Sequence, residues 1–266
     1  NSTSSQIYVP KKSRLNNPSR LGIETRHYSE SKDDINNSGI KSMYLISSHL
    51  YPFGEGEKAV GLGFDAAIVK TEDDSFMGPL GLSARYQIYT KRDFDIEGFA
   101  QLNMNTLSDD ELKNSKLGRD TTKVGLTFST RKENFFIEND FSYTFESESK
   151  EDIGGVNLTY TYGGITGVNL RAGAYYKKFL FGGFTEILLS ENYTISDGGE
   201  ANESTGRNRV ISWGPSVEYR DQNYSIVLNG RFLLDSTNDA SYNTLSDLMG
   251  YGVGQGSLQT KLNIFF

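Results

Sequence analysis

Three features of this 266-residue chain predict an all-β fold, a transmembrane antiparallel up-and-down β-barrel. Apolar and polar side chains alternate with period two in one segment after another. The connections between segments are alternately short and long, as in membrane barrels. Charged and aromatic residues sort by the same division. About twelve segments can be laid down, with fourteen as the alternative; both chain ends of such a barrel face one side, so the count is even.

Composition sets the outer bounds. The hydrophobic fraction is 36%, yet Tyr and Phe number 16 each. That pairing suits a barrel that is apolar outside and polar inside; disorder is the rival reading of low hydrophobicity, and the aromatic content argues against it. No stretch approaches eighteen apolar residues, so no transmembrane helix is expected. Cysteine is absent, which removes disulfides and thiolate metal sites. A net charge of −7 argues against nucleic acid as a partner. The chain begins at Asn1 without a signal sequence and is read as a mature chain from which a signal peptide has been removed.

Residues 1–19 are polar and basic (Lys11, Lys12, Arg14), with Pro10 and Pro18. They read as a flexible leader, or alternatively as a small plug, ahead of a barrel over 20–266. The first segment, about 20–29, sets Leu21, Ile23 and Thr25 against Glu24 and Arg26. The second, 39–51, sets Ile40, Tyr44, Ile46 and Leu50 against Lys41, Ser47 and His49. The third, 59–70, sets Leu62, Phe64 and Ile68 against Gly61, Gly63 and Asp65. In the fourth, 79–91, Leu80, Leu82, Tyr86 and Ile88 oppose Ser83, Arg85, Gln87 and Tyr89. In the fifth, 94–106, Ile96, Ala100 and Leu102 oppose Glu97, Gln101 and Asn103. The sixth and seventh, 120–131 and 134–147, oppose Val124, Leu126 and Phe128 to Lys123, Thr127 and Arg131, then Phe135, Ile137 and Phe141 to Glu138 and Asp140.

Residues 153–195 are ambiguous. Alternation keeps its phase from Val156 to Tyr176 and changes it near Lys177-Lys178. One long strand, a turn at Lys177-Lys178 and a second strand give twelve in total; a turn at Gly163 to Gly167 is the competing placement. Segments at 207–220 and 223–235 follow, the first with Trp213, Val217 and Tyr219 against Ser212, Ser216 and Glu218, the second with Tyr224, Ile226 and Leu228 against Ser225, Asn229 and Arg231. The last alternates Leu258, Thr260, Leu262, Ile264 and Phe266 with Ser257, Gln259, Lys261 and Asn263; Phe265 alone breaks the polar row.

Short connections fall at 52–58, 91–94, 131–134, 176–179 and 220–223, and longer ones at 29–38, 71–78, 106–119, 147–153, 196–206 and 236–253. The short ones are basic (Lys91-Arg92, Arg131-Lys132, Lys177-Lys178, Arg220) and the long ones acidic (Asp33-Asp34, Glu72-Asp73-Asp74, Asp109-Asp110-Glu111). Aromatics gather beside the short turns: Tyr51, Phe53, Tyr89, Phe94, Phe135, Tyr175, Tyr176, Phe179, Tyr219 and Tyr224. An interfacial girdle belongs there.

The tail GQGSLQTKLNIFF (254–266) resembles the closing strand of bacterial outer-membrane β-barrels, whose C-terminal Phe helps the assembly machinery recognise the chain. The resemblance implies a place in the bacterial outer membrane, contact with its lipids and lipopolysaccharide, and engagement of the barrel assembly machinery through the strand ending at Phe266. It also implies that the short turns and the leader are periplasmic and the long loops extracellular. Trimeric porins usually have more strands, which points to a monomer.

Charge on the lipid face near the midplane costs about 2–4 kcal/mol, so the charged row must line a lumen. Its basic members are Arg26, Lys41, Arg85, Lys123, Arg131, Arg171, Arg231 and Lys261. Its acidic members are Glu24, Asp65, Glu97, Glu138, Asp140, Glu186 and Glu218. A mixed, narrow lumen of this kind selects small hydrophilic solutes for passive diffusion; alternatively, opposite charges pair and fill it. The leading function is a channel. The first rival is a non-conducting structural or adhesion barrel acting through its acidic loops. The second is a lipid hydrolase: His27 and Ser29 form an H-x-S pair, similar to that of outer-membrane phospholipases, with Asn36 or Asn37 required as the group that orients the base. His49 reads as ordinary lining. No EF-hand pattern, phosphate loop or cofactor signature is present, and no catalytic or metal site is expected.

Overall fold

The computed structural model describes residues 19–28, 42–53, 60–70, 75–91, 93–104, 106, 120–191, 194–197, 203–204, 208–237 and 256–265. Among them there is no helix. The strands are β1 (Arg20–Tyr28), β2 (Ser42–Phe53), β3 (Val60–Lys70), β4 (Ser75–Lys91), β5 (Phe94–Met104), β6 (Thr121–Lys132), β7 (Phe135–Glu146) and β8 (Ser149–Ile153). There follow β9 (Val156–Thr161), β10 (Ile165–Tyr176), β11 (Phe179–Ser190), β12 (Thr194–Ser196), β13 (Glu203–Ser204), β14 (Asn208–Arg220), β15 (Tyr224–Thr237) and β16 (Gly256–Phe265).

Twelve of these close into one antiparallel barrel, β1 to β7, then β10, β11, β14, β15 and β16, with β16 hydrogen-bonded back to β1. The alternative of fourteen barrel strands is therefore set aside. The seam runs without a break from Arg20 opposite Phe265 to Tyr28 opposite Ser257. Closure leaves no unpaired sheet edge, the condition for strands to cross a lipid core.

The two rows of side chains have the environments that alternation requires. The apolar row faces outward and is exposed: Ile46 at 54%, Phe141 at 47%, Leu228 at 47%. The polar row faces inward, and Glu24, Gln87, Glu97, Ser212 and Ser225 are buried. A continuous apolar band of that extent is incompatible with water and matches lipid. Strand lengths from nine residues in β1 to seventeen in β4 meet the roughly 9–11 residues needed to span a bilayer at a tilt.

Aromatic rings cluster at the end of the barrel where the short turns lie. Phe179 packs edge-on against Tyr219 at 5.3 Å between centroids, and Tyr219 against Tyr224 at 6.0 Å. Tyr89 meets Phe94 at 6.2 Å. Two of the aromatic assignments need correction. Tyr89 does not continue the inward row of β4: the ladder to β5 shifts between Gln87 and Tyr89, so Ile88 and Tyr89 are both exposed. Tyr175 is not a girdle residue. It shares the inward parity of Arg171, and the Arg131 guanidinium lies 5.3 Å from its ring centre.

The short turns are built for tight reversal. Glu133 and Lys177 adopt positive φ of 55° and 52°, and Tyr176 pairs directly with Phe179 across Lys177-Lys178. The Lys178 ammonium donates to the Asp221 carboxylate at 2.7 Å, tying the β10–β11 turn to the β14–β15 turn. That bond holds the Lys178 ammonium above its ordinary range and, with a second bond from the Gln222 backbone N–H at 2.8 Å, holds the Asp221 carboxyl below its own.

At the opposite end the chain departs from expectation. The run 156–176 is not one barrel strand. It is interrupted at 162–164, and β9 joins β8, β12 and β13 in a separate four-stranded sheet. Strands β8 and β9 form a hairpin about Gly154-Gly155, both at positive φ (64° and 87°), a conformation glycine adopts without steric cost. The region 147–153, expected as a loop, is thus largely strand. The sheet extends the barrel ladders past the rim: Ile165 pairs with Ser190 in the wall, and Thr161 with Thr194 beyond it. Its own small core is Tyr160, packed by Leu158, Tyr162 and Ile195. Residues 1–18 of the leader, Lys41 and Phe266 lie outside the described residues.

Two measurements test this description. Leu126, exposed on the lipid face in the middle of β6, should tolerate no charge; Leu126→Arg should lower unfolding stability in lipid by about 2–4 kcal/mol, read from denaturant titration. In an NMR pH titration, the Asp221 carboxyl should titrate below the ordinary value of about 3.9. The turn-to-turn bond is then intact above that pH and lost as pH falls through the depressed midpoint. Lys178→Gln should move the midpoint back up.

Candidate functional site

Inside the barrel, on the side of the long connections, lies a cavity of ≈ 450 Å³. Seven of the charged residues expected to line a lumen meet there: Glu24, Arg26, Asp65, Lys123, Glu186, Arg231 and Lys261. Each stands on the inward parity of its strand, and closure of the wall converges them on one space.

Most of these charges are matched. Glu24 accepts from the Arg26 guanidinium and lies 3.8 Å from the Lys261 ammonium. Register explains this, because Glu24 sits directly opposite Lys261 across the seam. Arg231 donates to Glu186 and, through Nε, to the Ser212 hydroxyl at 3.2 Å. Charge pairs of this kind are worth keeping only when both partners are present; removing one leaves an uncompensated charge.

The other expected lining residues that are described, Arg85, Glu97, Arg131, Glu138, Asp140, Arg171 and Glu218, lie outside the cavity, on the inward wall. Arg85 faces Glu97 at 3.7 Å. Asp140 accepts from the Thr127 hydroxyl at 2.6 Å. Arg171 lies 5.9 Å from the Phe136 ring centre. Glu138 is buried, and Glu218 is half-buried. His49 pairs through its backbone with Arg20. His27 is exposed on the outer face of β1, but Ser29, Asn36 and Asn37, the remaining members of the hydrolase constellation, lie outside the described residues. No group of three or more metal-ligating side chains occurs among the described residues.

Sequence reasoning missed the inward aromatics. Phe99, Phe136 and Phe184 each sit directly opposite a glycine on the next strand, Gly125, Gly173 and Gly214. The ring lies over the vacant Cβ position: a Cβ there would stand 2.6, 2.7 and 2.9 Å from the respective ring. Two of the rings also carry cations on their faces, Arg85 and Lys123 over Phe99 at 5.2 and 5.9 Å, and Arg171 over Phe136. Phe265 is likewise inward and buried, with the Arg220 guanidinium 4.5 Å from its ring centre. Inward parity was visible for each; which glycine each would cover depends on register.

No family model and no curated relative matches the sequence. Solved structures do match. An outer-membrane channel from Pseudomonas putida F1 aligns over 97% of this chain and 98% of its own, with a TM-score of 0.73 at 10% identity. The fold is that of an outer-membrane β-barrel. The NanC porin matches over 92% of this chain and 98% of its own (TM-score 0.52, 9% identity). The translocator domain of the autotransporter NalP from Neisseria meningitidis matches over 94% and 89% (TM-score 0.51, 9% identity). At such identities the likeness is one of backbone.

The ring-over-glycine packing has a direct test. Gly125→Val would push a side chain into the Phe99 ring and the Phe141 carbonyl. Overpacking of this kind typically costs about 1–3 kcal/mol, so the variant should unfold at lower denaturant in micelles. Combining it with Phe99→Ala should recover part of the loss.

Proposed function

We propose that the protein is an outer-membrane channel through which small hydrophilic solutes diffuse passively. The observation that carries this reading is the polar, charge-lined cavity enclosed by a closed wall whose outer face is apolar. A space of that size and lining holds water and a small polar solute, and paired walls of both signs make selectivity by charge alone weak. The fold shared with the Pseudomonas putida F1 channel and the NanC porin is consistent with it. In this reading the chain sits as a monomer in outer-membrane lipid and lipopolysaccharide. The assembly machinery takes hold of the strand ending at Phe266, and the leader 1–19 lies on the periplasmic side. No covalent chemistry is involved.

The narrow part of the path lies on the short-turn side of the cavity. There the inward groups are closely packed: Gln87 is 0% exposed and Glu97 1%, and Phe136 and Tyr175 pack ring to ring at 5.6 Å.

A second reading has one observation behind it. The sheet of β8, β9, β12 and β13 stands beyond the barrel rim with its own aromatic core, a ready surface for adhesion or envelope contact. The two readings part on conductance. The refolded protein in a planar bilayer should give steady ohmic openings with a small reversal potential in a salt gradient. Tyr175→Ala should raise single-channel conductance measurably by removing a ring from the constriction. A silent bilayer from protein shown to be folded by heat-modifiable gel migration would move the assignment to the external sheet.

A further inference from the structure

We propose that Lys123 is the residue that engages permeating solute, and that the preferred solute is a small hydroxylated monocarboxylate. The inference rests on the channel reading in supposing that solute reaches the cavity. Among the described residues four cations line the cavity, Arg26, Lys123, Arg231 and Lys261. Three are held by carboxylates: Arg26 and Lys261 by Glu24, and Arg231 by Glu186. Among the described residues Lys123 makes no ion pair or hydrogen bond; its ammonium lies over the Phe99 ring at 5.9 Å. The charged groups acting on it are Asp140 and Arg85, of opposite sign. Asp140 is engaged by the Thr127 hydroxyl, and Arg85 faces Glu97. The three N–H donors of Lys123 are thus open to the cavity's contents.

The neighbouring wall supplies polar partners of the right kind. Lys123 pairs across the sheet with Gln101 on one side and Thr144 on the other. Gln101 donates to the Asn103 carbonyl oxygen at 3.1 Å, and Asn103 donates to the Thr121 hydroxyl at 3.0 Å. All of these residues line the cavity. Gly81, opposite Asn103, leaves room beside them: a Cβ there would stand 3.1 Å from the Asn103 carbonyl oxygen and 3.2 Å from the Asp65 carboxylate, which borders the recess on that side. The result is a recess with one uncommitted ammonium beside a row of amides and hydroxyls. A carboxylate completes the ammonium by charge-assisted hydrogen bonds, and hydroxyl groups on the same molecule match the row. Asp65, another lining charge with no direct partner among the described residues, stands in the field of Lys261, Glu24, Arg20 and Arg26; being a carboxylate, it offers no second anion site.

The test uses gluconate as probe, with glucose as its neutral counterpart, on the full refolded chain. Saturation-transfer NMR in micelles reads binding, and current block in planar bilayers reads occupancy during conduction. Gluconate should bind and glucose should bind at least about tenfold more weakly, the loss expected for one charge-assisted hydrogen bond. Lys123→Gln should abolish that preference and Lys123→Arg should retain it, while Lys261→Gln should lower gluconate binding far less than Lys123→Gln. Equal losses in the two Gln variants would overturn the proposal, because the lumen's general field would then explain binding. No preference of the wild type for gluconate over glucose would overturn it as well. A silent bilayer with the NMR preference intact would overturn the channel reading and leave the anion site standing.

Discussion

The structure depends on the hydrogen-bonded seam between β1 and β16. In lipid an unpaired backbone N–H or C=O has no water to turn to, and each such group costs several kcal/mol. The seam removes the last open edge in register over the whole of β1, from Arg20–Phe265 to Tyr28–Ser257. With the edge closed, every residue on a barrel strand has one of two addresses. The period-two alternation of the sequence follows from that division.

The inward address creates the second constraint. Charged side chains cannot face lipid, so twelve strands direct them into a lumen too small to hydrate them all freely. The chain meets this by register. Glu24 stands opposite Lys261 across the seam, Glu186 reaches Arg231, and Arg85 faces Glu97. Inward rings fill the remaining volume by lying over glycines, as Phe99 does over Gly125. Among the described residues, pairing and filling leave a cavity on the long-loop side.

Much of this was legible in the chain, and the exceptions have physical causes. The inward parity of Glu24, Arg85, Lys123, Arg231 and Lys261 follows from alternation alone, because one residue of shift would place charge in lipid. Tyr89 was assigned to both rows, and the bulge after Gln87 resolves it by inserting one residue into the count; no local pattern announces a bulge. Tyr175 lies near a turn like the girdle aromatics, yet its odd position beside Arg171 already pointed inward. The hairpin at Gly154-Gly155 carried a turn signal, two glycines between alternating runs. It was obscured because alternation from Val156 to Tyr176 keeps one phase through the interruption at 162–164. A ladder that continues past the membrane rim preserves parity and hides the boundary.

The sequence by itself determined the fold class, an even count of about twelve barrel strands with fourteen as the alternative, and which face of most strands meets lipid. These follow from one-dimensional periodicity and from the cost of charge in hydrocarbon. Only the tertiary structure decided which charges meet, which glycine receives which ring, and where the cavity lies. Those depend on the offset between neighbouring strands and on closure of the wall, which bring together residues as far apart as Glu24 and Lys261, and a single chain of letters does not contain that offset. Lys123 shows the difference: its sequence says that it points inward, and only the neighbours gathered by the fold show that it lines the cavity with no ion pair among the described residues.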